Sequence, residues 1–357
     1  MIPAVEAQID IDALHHNFQR VKQSCPAARV MAVVKADGYG HGMVRIARAL
    51  DEVDAFVVAR VDEALQLQEA GITHSIVILE GFSEPADLAM IAERSLQIVV
   101  HHISQVEVLE NSSLDRPVDV WLKIDSGMHR MGVPAGLAQS AWARLQNCTA
   151  VGHIGLMTHL ASADDRDSEQ TAQQLACFQA ATAGQEAPRS IANSAGILGW
   201  PETHADWVRP GIMLYGVSPF EGGMAQSHDL KPVMTLKSRL MAINYFREGE
   251  AIGYGASWRC PERMQVGVVA CGYGDGYPRH AEVGTPVLIN GQRVPLIGRV
   301  SMDTLCVDLR GVEAQIGDEA ILWGEGLPVE EIALKASTIP YELLCGVTAR
   351  VKFTEKY

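Results

Sequence analysis

Over the first 230 residues, short apolar runs alternate with segments of helical period, and then the alternation stops. The runs are Val30–Val34, Ala55–Val58, Ile76–Leu79, Gln97–Val100, Val118–Ile124, Val151–Met157, Ser190–Ala192 and Val208–Tyr215. All read as strand-like, and Val30–Val34 has the length and β-branched content of a buried strand. Between them, Asp62–Ala70 has helical spacing and ends at Gly71, a C-cap residue. Ser83-Glu-Pro-Ala-Asp opens another helix with a cap residue, early acidic charge and an early proline. Pro134–Leu145 and Asp165–Ala183 supply two more. Eight strand-like runs alternating with helices fit a (β/α)8 barrel over residues 1–230 better than an open doubly wound sheet. No Gly-x-Gly-x-x-Gly follows the first run, which weighs against a dinucleotide site.

After Lys231-Pro232 helical periods nearly vanish. Met234–Asn244, Gln265–Ala270, Thr285–Ile289, Leu305–Asp308 and Ala320–Trp323 read as strands, with a hairpin signal at Asn290-Gly291. The expected fold class is therefore α/β, an N-terminal (β/α)8 barrel followed by a mostly β domain over residues 231–357.

Polar residues fall at the carboxyl ends of the barrel runs, where such a fold builds its site. Lys35 ends the first run, Lys123 and Asp125 the fifth, His159 the sixth and Asn193-Ser194 the seventh, while Arg209 lies in the eighth. Lys35 opens Lys35-Ala-Asp-Gly-Tyr-Gly-His-Gly42, whose three glycines let backbone approach a bound group closely. A partly desolvated amine there has a lowered pKa and serves as nucleophile or base. The helix expected to begin near His41 could also offer amides to a phosphate. The plain alternative is a strand-end lysine with its head in water. In the β domain, Tyr254 and Tyr273 stand in glycine-tyrosine clusters, and Tyr277 reads as a turn residue packing an edge.

Composition narrows the partners. Apolar residues make up 48% and charged residues 20%, an ordinary globular balance. A net charge of −14 argues against nucleic acid or anionic membrane as the main partner. No run approaches a membrane span, and Met1-Ile2-Pro3-Ala4-Val5-Glu6 carries no secretory pattern. Seven scattered cysteines without a Cys-x-x-Cys pair fit a cytoplasmic chain with reduced thiols. The twelve histidines include no His-Glu-x-x-His, so a metal is not expected.

Taken together, these stretches carry a resemblance. Val33-Val-Lys-Ala-Asp-Gly-Tyr-Gly-His-Gly42 resembles the cofactor-lysine motif of bacterial alanine racemases, which are pyridoxal-phosphate enzymes. Trp121-Leu-Lys-Ile-Asp-Ser-Gly-Met-His-Arg-Met-Gly132, Met157-Thr-His-Leu160, Ala192-Asn-Ser194 and Val208-Arg-Pro-Gly-Ile212 follow in the family's order. The β domain adds Gly253-Tyr-Gly-Ala256, Gly272-Tyr-Gly-Asp-Gly-Tyr-Pro-Arg279, Ser301-Met-Asp303 and Ile339-Pro-Tyr341. Nearly the whole chain is covered. The resemblance implies a head-to-tail homodimer in which the partner's β domain completes each site.

The same resemblance implies roles. Lys35 would hold pyridoxal 5'-phosphate as a Schiff base, and Tyr39, Ser194, Tyr341 and the backbone of Gly211 and Ile212 would grip its phosphate. Arg209 would face the pyridine nitrogen, donating without fully protonating the ring. Lys35 and Tyr254 of the other subunit would serve opposite faces of the substrate in a two-base racemisation of alanine. His159 and Arg209 would favour the phenolate of that tyrosine, whose ordinary pKa of about 10 makes it a poor base at neutral pH. Arg130 and the amide of Met302 would meet the substrate carboxylate, with Tyr273 narrowing the entrance. Lys123 matches a lysine carbamylated in many members, its alternative being an unmodified amine paired with Asp125. Gly38 and Gly274 stand where some members have Ala, and Ser301 where others have Cys. The polar tail Val351–Tyr357 has no evident role.

Two other classes compete. A pyridoxal-phosphate carrier would share the barrel lysine but not need the β domain, and a decarboxylase would want a carboxylate where Arg209 stands. Within racemases, activity on serine, and a peptidoglycan as against a catabolic role, stay open.

Overall fold

The computed structural model describes residues 5–357, so the expected lack of a secretory pattern at the chain start falls largely outside the described residues. The chain divides into two units, one of residues 18–214 with 219–221, the other of the segment up to Asn17 with 215–218 and 222–357. Strand β1 (Glu6–Asp10) belongs to the second unit, and the chain enters the first at Phe18, inside the helix Ile11–Ser24.

The first unit is a closed barrel. Its strands are β2 (Arg29–Val33), β3 (Ala55–Val58), β4 (Ser75–Ile78), β5 (Gln97–Val100), β6 (Val118–Asp125), β8 (Val151–Met157), β9 (Arg189–Ser190) and β10 (Trp207–Val208). A two-residue strand, β7 (Val133–Pro134), hangs on the end of β6. Every barrel neighbour is parallel, and the pairing of β10 with β2 closes the ring of eight. Ala55-Phe-Val-Val is buried throughout, as expected of a strand with the barrel core on one side and helices on the other. The helix Val61–Glu69 ends before Gly71, whose φ of 85° is the left-handed geometry expected of that glycine. Of the eighth apolar run only Val208 lies in a strand. Pro210 and Gly211 end β10, and Ile212–Tyr215 wind into a 3-10 turn instead of continuing it.

The second unit is antiparallel. Strands β11 (Met234–Phe246), β14 (Met264–Val269), β15 (Pro286–Ile289), β16 (Gln292–Ile297), β17 (Leu305–Asp308) and β18 (Glu319–Trp323) form a closed ring, and β12 (Ala251–Ile252) pairs β13 (Trp258–Arg259) beside it. Closure depends on β11, which pairs β18 through Leu236–Arg239 and then β14 through Leu240–Phe246, bending at register shifts. The β15–β16 hairpin turns at Asn290 and Gly291, both with positive φ, as the sequence signal requires. Tyr277 is a core residue rather than an edge one, 1% exposed and stacked on Trp323 at 6.0 Å. Two short helices, Val329–Lys335 and Pro340–Cys345, interrupt the otherwise β pattern.

The polar tail also finds its place here. Strand β19 (Lys352–Lys356) runs parallel to β1, which pairs antiparallel with β11. It lies at the sheet edge, where charged residues keep a strand from recruiting others. Lys356 sits 3.0 Å from Asp10 and 3.3 Å from Glu325. Among the described residues, no helix is long and apolar enough to cross a membrane.

Candidate active site

All the barrel residues singled out in the sequence lie at the carboxyl ends of strands. Lys35 follows β2 by two residues, Lys123 and Asp125 close β6, His159 follows β8, Ser194 follows β9 and Arg209 follows β10. Beyond Lys35 the backbone makes a left-handed turn, with φ near 50–60° at Ala36, Asp37, Gly38 and Tyr39. Such a conformation costs roughly 1–2 kcal/mol for each non-glycine residue, and three of these four carry a Cβ. Named contacts hold it. The Glu63 carboxylate accepts from the Ala36 amide at 2.8 Å, and the Asp37 carboxylate accepts from Met43 N at 2.7 Å. His41, fully buried, donates from Nδ1 toward the carbonyls of Tyr39 and Gly38 at 2.9 and 3.1 Å. Burial lowers its pKa to about 4, so the ring is neutral.

This turn aims Tyr39 across the barrel mouth. A Cβ on Gly211 would stand 2.6 Å from the Tyr39 hydroxyl, so only glycine lets that contact form. The Gly211 and Met213 amides donate to Ser194 Oγ at 2.9 and 3.3 Å. A hydroxyl pair and backbone amides therefore converge where β2, β9 and β10 end. The helix after His41 starts at Met43, and its first amide is spent on Asp37. Met213 was not foreseen, since a backbone amide leaves no mark on residue type.

Arg209 is 4% exposed and bonded on three sides. It donates to Ser190 Oγ at 2.6 Å and to the carbonyls of Thr158 and Ile191 at 2.5 and 3.3 Å. Nη2 lies 3.4 Å from His159 Nδ1. None of these contacts uses Nε. Burial lowers the Arg209 pKa to about 10, which leaves it charged at neutral pH. His159 is held well below its ordinary pKa, first by burial and then by Arg209, Lys123, Arg130 and Lys35. It is neutral, and Nδ1 accepts from the guanidinium, leaving the proton on Nε2.

Lys123 is 8% exposed, and its pKa is lowered to about 8 by burial and then by Arg209, Arg130 and Lys35. Asp125 does not neutralise it by close contact. Its carboxylate accepts from the amides of Gly127 and His129 at 3.0 Å each and meets the His129 ring at 3.1 Å. Burial opposes ionisation of Asp125, but these donors outweigh it and hold the pKa below the ordinary value. A stability test follows. The unfolded chain binds a proton at Lys123 that the folded chain has released between pH 8 and 10.5, so folding gains stability as pH rises through that window. In carbonate-free buffer, Lys123→Met should flatten the rise by up to about 3 kcal/mol, read from denaturant midpoints at each pH. Identical slopes for the two chains would refute the buried, proton-poor amine.

The remaining candidates belong to the β unit. Tyr254 is 67% exposed in a turn containing Gly255 and Ala256, both with positive φ. Tyr273 and Met302 are neighbours, because Tyr273 N donates to Ser301 O at 3.0 Å and Gly274 N to Met302 O at 2.8 Å. Arg350 ties the two loops together, at 3.4 Å from buried Asp275 and 2.8 Å from Asp303. A Cβ on Gly274 would crowd the Arg350 guanidinium. Met302 and Tyr341 are exposed as well.

The family model for the alanine racemase N-terminal domain matches residues 9–219, and that for the alanine racemase C-terminal domain matches residues 233–355. A protein of Nitrosococcus oceani named alanine racemase is 53% identical over 354 residues, covering 98% of each chain. One of Vibrio cholerae with the same name is 50% identical, again over 98% of each. Among solved structures, the biosynthetic alanine racemase from Pseudomonas aeruginosa superposes with a TM-score of 0.97 at 42% identity, with full coverage of both chains. The alanine racemase from Acinetobacter baumannii gives 0.92 at 34%, covering 99% of this chain and 100% of that one. With both domains matched and full-length relatives at half identity, the chain belongs to the alanine racemase family.

Proposed function

We propose that this chain interconverts L- and D-alanine, with pyridoxal phosphate held in the barrel mouth and two bases acting on opposite faces of the substrate. The observation that carries the reading is the convergence of the Tyr39 hydroxyl, Ser194 Oγ and the Gly211 and Met213 amides beside Lys35 and Arg209. A Ser194 hydroxyl that accepts from two amides keeps its own hydrogen to donate to a phosphate oxygen, as the Tyr39 hydroxyl can, and a guanidinium fixed through its Nη atoms keeps Nε for a ring nitrogen.

When bound, the cofactor draws electrons from the substrate and acidifies its α-hydrogen. The chain's own residues do the rest. Lys35 carries the cofactor and then exchanges a proton on one face. Tyr39, Ser194, Gly211, Ile212 and Tyr341 hold the phosphate. Arg209 donates to the ring nitrogen and, through His159, sets a cationic network toward the phenol of Tyr254 from the partner subunit. Arg130 and the Met302 amide take the substrate carboxylate, and Tyr273 restricts the side chain to methyl size. The neutral fraction of Lys123 can add to carbon dioxide, forming a C–N bond and releasing a proton, to give a carbamate anion that steadies Arg130. Carbon-13 NMR in labelled bicarbonate detects that carbamate, and Lys123→Met should lose the signal.

A homodimer is supported by the exposure of Tyr254, Met302, Ile339 and Tyr341. Seven free cysteines support a reducing compartment, the cytoplasm. The biosynthetic description of the Pseudomonas aeruginosa neighbour favours supply of D-alanine for peptidoglycan over catabolism. Borohydride reduction of the cofactor-loaded protein followed by peptide mapping tests the assignment of Lys35. The reduced cofactor is expected on Lys35, and its recovery on another lysine would overturn the reading.

A further inference from the structure

Two glutamines one turn apart on the helix Gln170–Ala181 face the site from outside the barrel wall. Gln174 is 1% exposed and uses its whole amide. Nε2 donates to His159 O at 3.0 Å and to Ser126 Oγ at 3.4 Å, while Oε1 accepts from Ala161 N at 2.8 Å. The chain of bonds continues with a defined direction. Thr158 Oγ1 donates to Ile124 O at 2.9 Å, so its 2.7 Å contact with Ser126 Oγ is accepted from the serine. Gln174 thus begins a relay from helix to Ser126, to Thr158, to the end of β6. Gln170 repeats the pattern one turn earlier, donating to Gly127 O at 3.3 Å and accepting from Ser162 Oγ at 2.5 Å. Gly127 is shaped to the helix, since a Cβ there would stand 3.2 Å from Gln174 Cγ.

Beside the direct Ser126–Thr158 bond, the two glutamines tie together the loops at the ends of β6 and β8. One follows β6 and carries Arg130; the other follows β8 and carries His159. Asp125 gathers the first loop onto itself, which fixes its shape but not its place relative to β8. We propose that Gln174 is a positioning residue that sets Arg130 against His159, and so governs capture of the substrate carboxylate. Gln170 is its second clamp. This inference rests on the racemase reading, in which Arg130 takes the carboxylate. Tyr39 follows β2, Ser194 follows β9, and Gly211 and Met213 follow β10, whereas both glutamines bond to the loops after β6 and β8.

The test compares Gln174→Met, which removes every bond at similar volume, with Gln174→Glu, which keeps an acceptor for Ala161 but loses both donations. Both variants are loaded with cofactor and assayed for alanine racemisation. KM should rise by roughly tenfold to a hundredfold, the scale of a misplaced positioning group, with a smaller change in kcat. The cofactor dissociation constant, from absorbance titration, should stay at the wild-type value. An unchanged KM in folded variants would overturn the inference while leaving the racemase reading intact. Parallel loss of cofactor affinity and KM would also overturn it, since general loosening explains that. If the Gln174 chains do not fold, Gln170→Met is judged by the same criteria. Wild-type protein that does not racemise alanine would overturn both this inference and the function beneath it.

Discussion

Tyr254→Phe protein is expected to lose alanine racemisation by on the order of 10²-fold or more, while keeping its cofactor. Inversion requires a proton removed from one face and returned on the other. If Arg130 fixes the substrate carboxylate and the cofactor holds its amine, as proposed above, the α-hydrogen of one enantiomer would point to Lys35 and that of the other away. In the family-based assignment Lys35 serves D-alanine and Tyr254 serves L-alanine. The phenol stands exposed on a glycine-rich turn of the β unit, and removing its oxygen disturbs no packing. In heavy water the variant should still exchange the α-proton of D-alanine and leave that of L-alanine almost untouched, as followed by proton NMR on each pure enantiomer. Equal exchange of both would mean that one base reaches both faces.

Chains carrying Lys35→Ala and Tyr254→Phe, each nearly inactive alone, should recover racemisation when refolded together. Lys35 belongs to the barrel unit and Tyr254 to the β unit. If each site takes its barrel from one subunit and its tyrosine from the other, a mixed dimer holds one site with both mutations and one with neither. Recovery from near zero to the output of one intact site per dimer is the expected result. Heterodimers verified by differential tagging that stay inactive, while wild-type chains refold normally, would dispose of the shared-site arrangement.

Much of the barrel site was legible because strand ends are legible. Lys35, Lys123 and His159 are polar residues at the close of apolar runs, Arg209 stands inside the eighth, and closure of the parallel sheet places the strand ends on one rim. The resemblance added Tyr39, Arg130 and the roles of the β-domain residues, which no periodicity could have nominated. Other features carried no local signal. Nothing in Ala36, Asp37 or Tyr39 announces a left-handed turn, because their intrinsic preference opposes it and contacts from Glu63 and His41 impose it. Gln174 looks like any polar residue of an amphipathic helix until its burial is known.

By itself the sequence determined the alternation that makes a barrel, the change of pattern after Pro232, the Asn290-Gly291 hairpin, and a lysine at the close of the first barrel strand. Each of these is local, depending on neighbours within one element. The tertiary structure decided what depends on residues far apart in the chain. It joined β1 to β11 and β19 and made a polar tail an edge strand, because sheet membership is settled by hydrogen-bond partners and not by residue type. It spent the first amide of the Met43 helix on Asp37 and brought the Gly211 and Met213 amides to Ser194 instead. It buried Lys123 and His159 among like charges, lowering both pKa values. Desolvation and Coulomb interactions act through space, so a chain read in order can name the charged groups but not the field in which they meet.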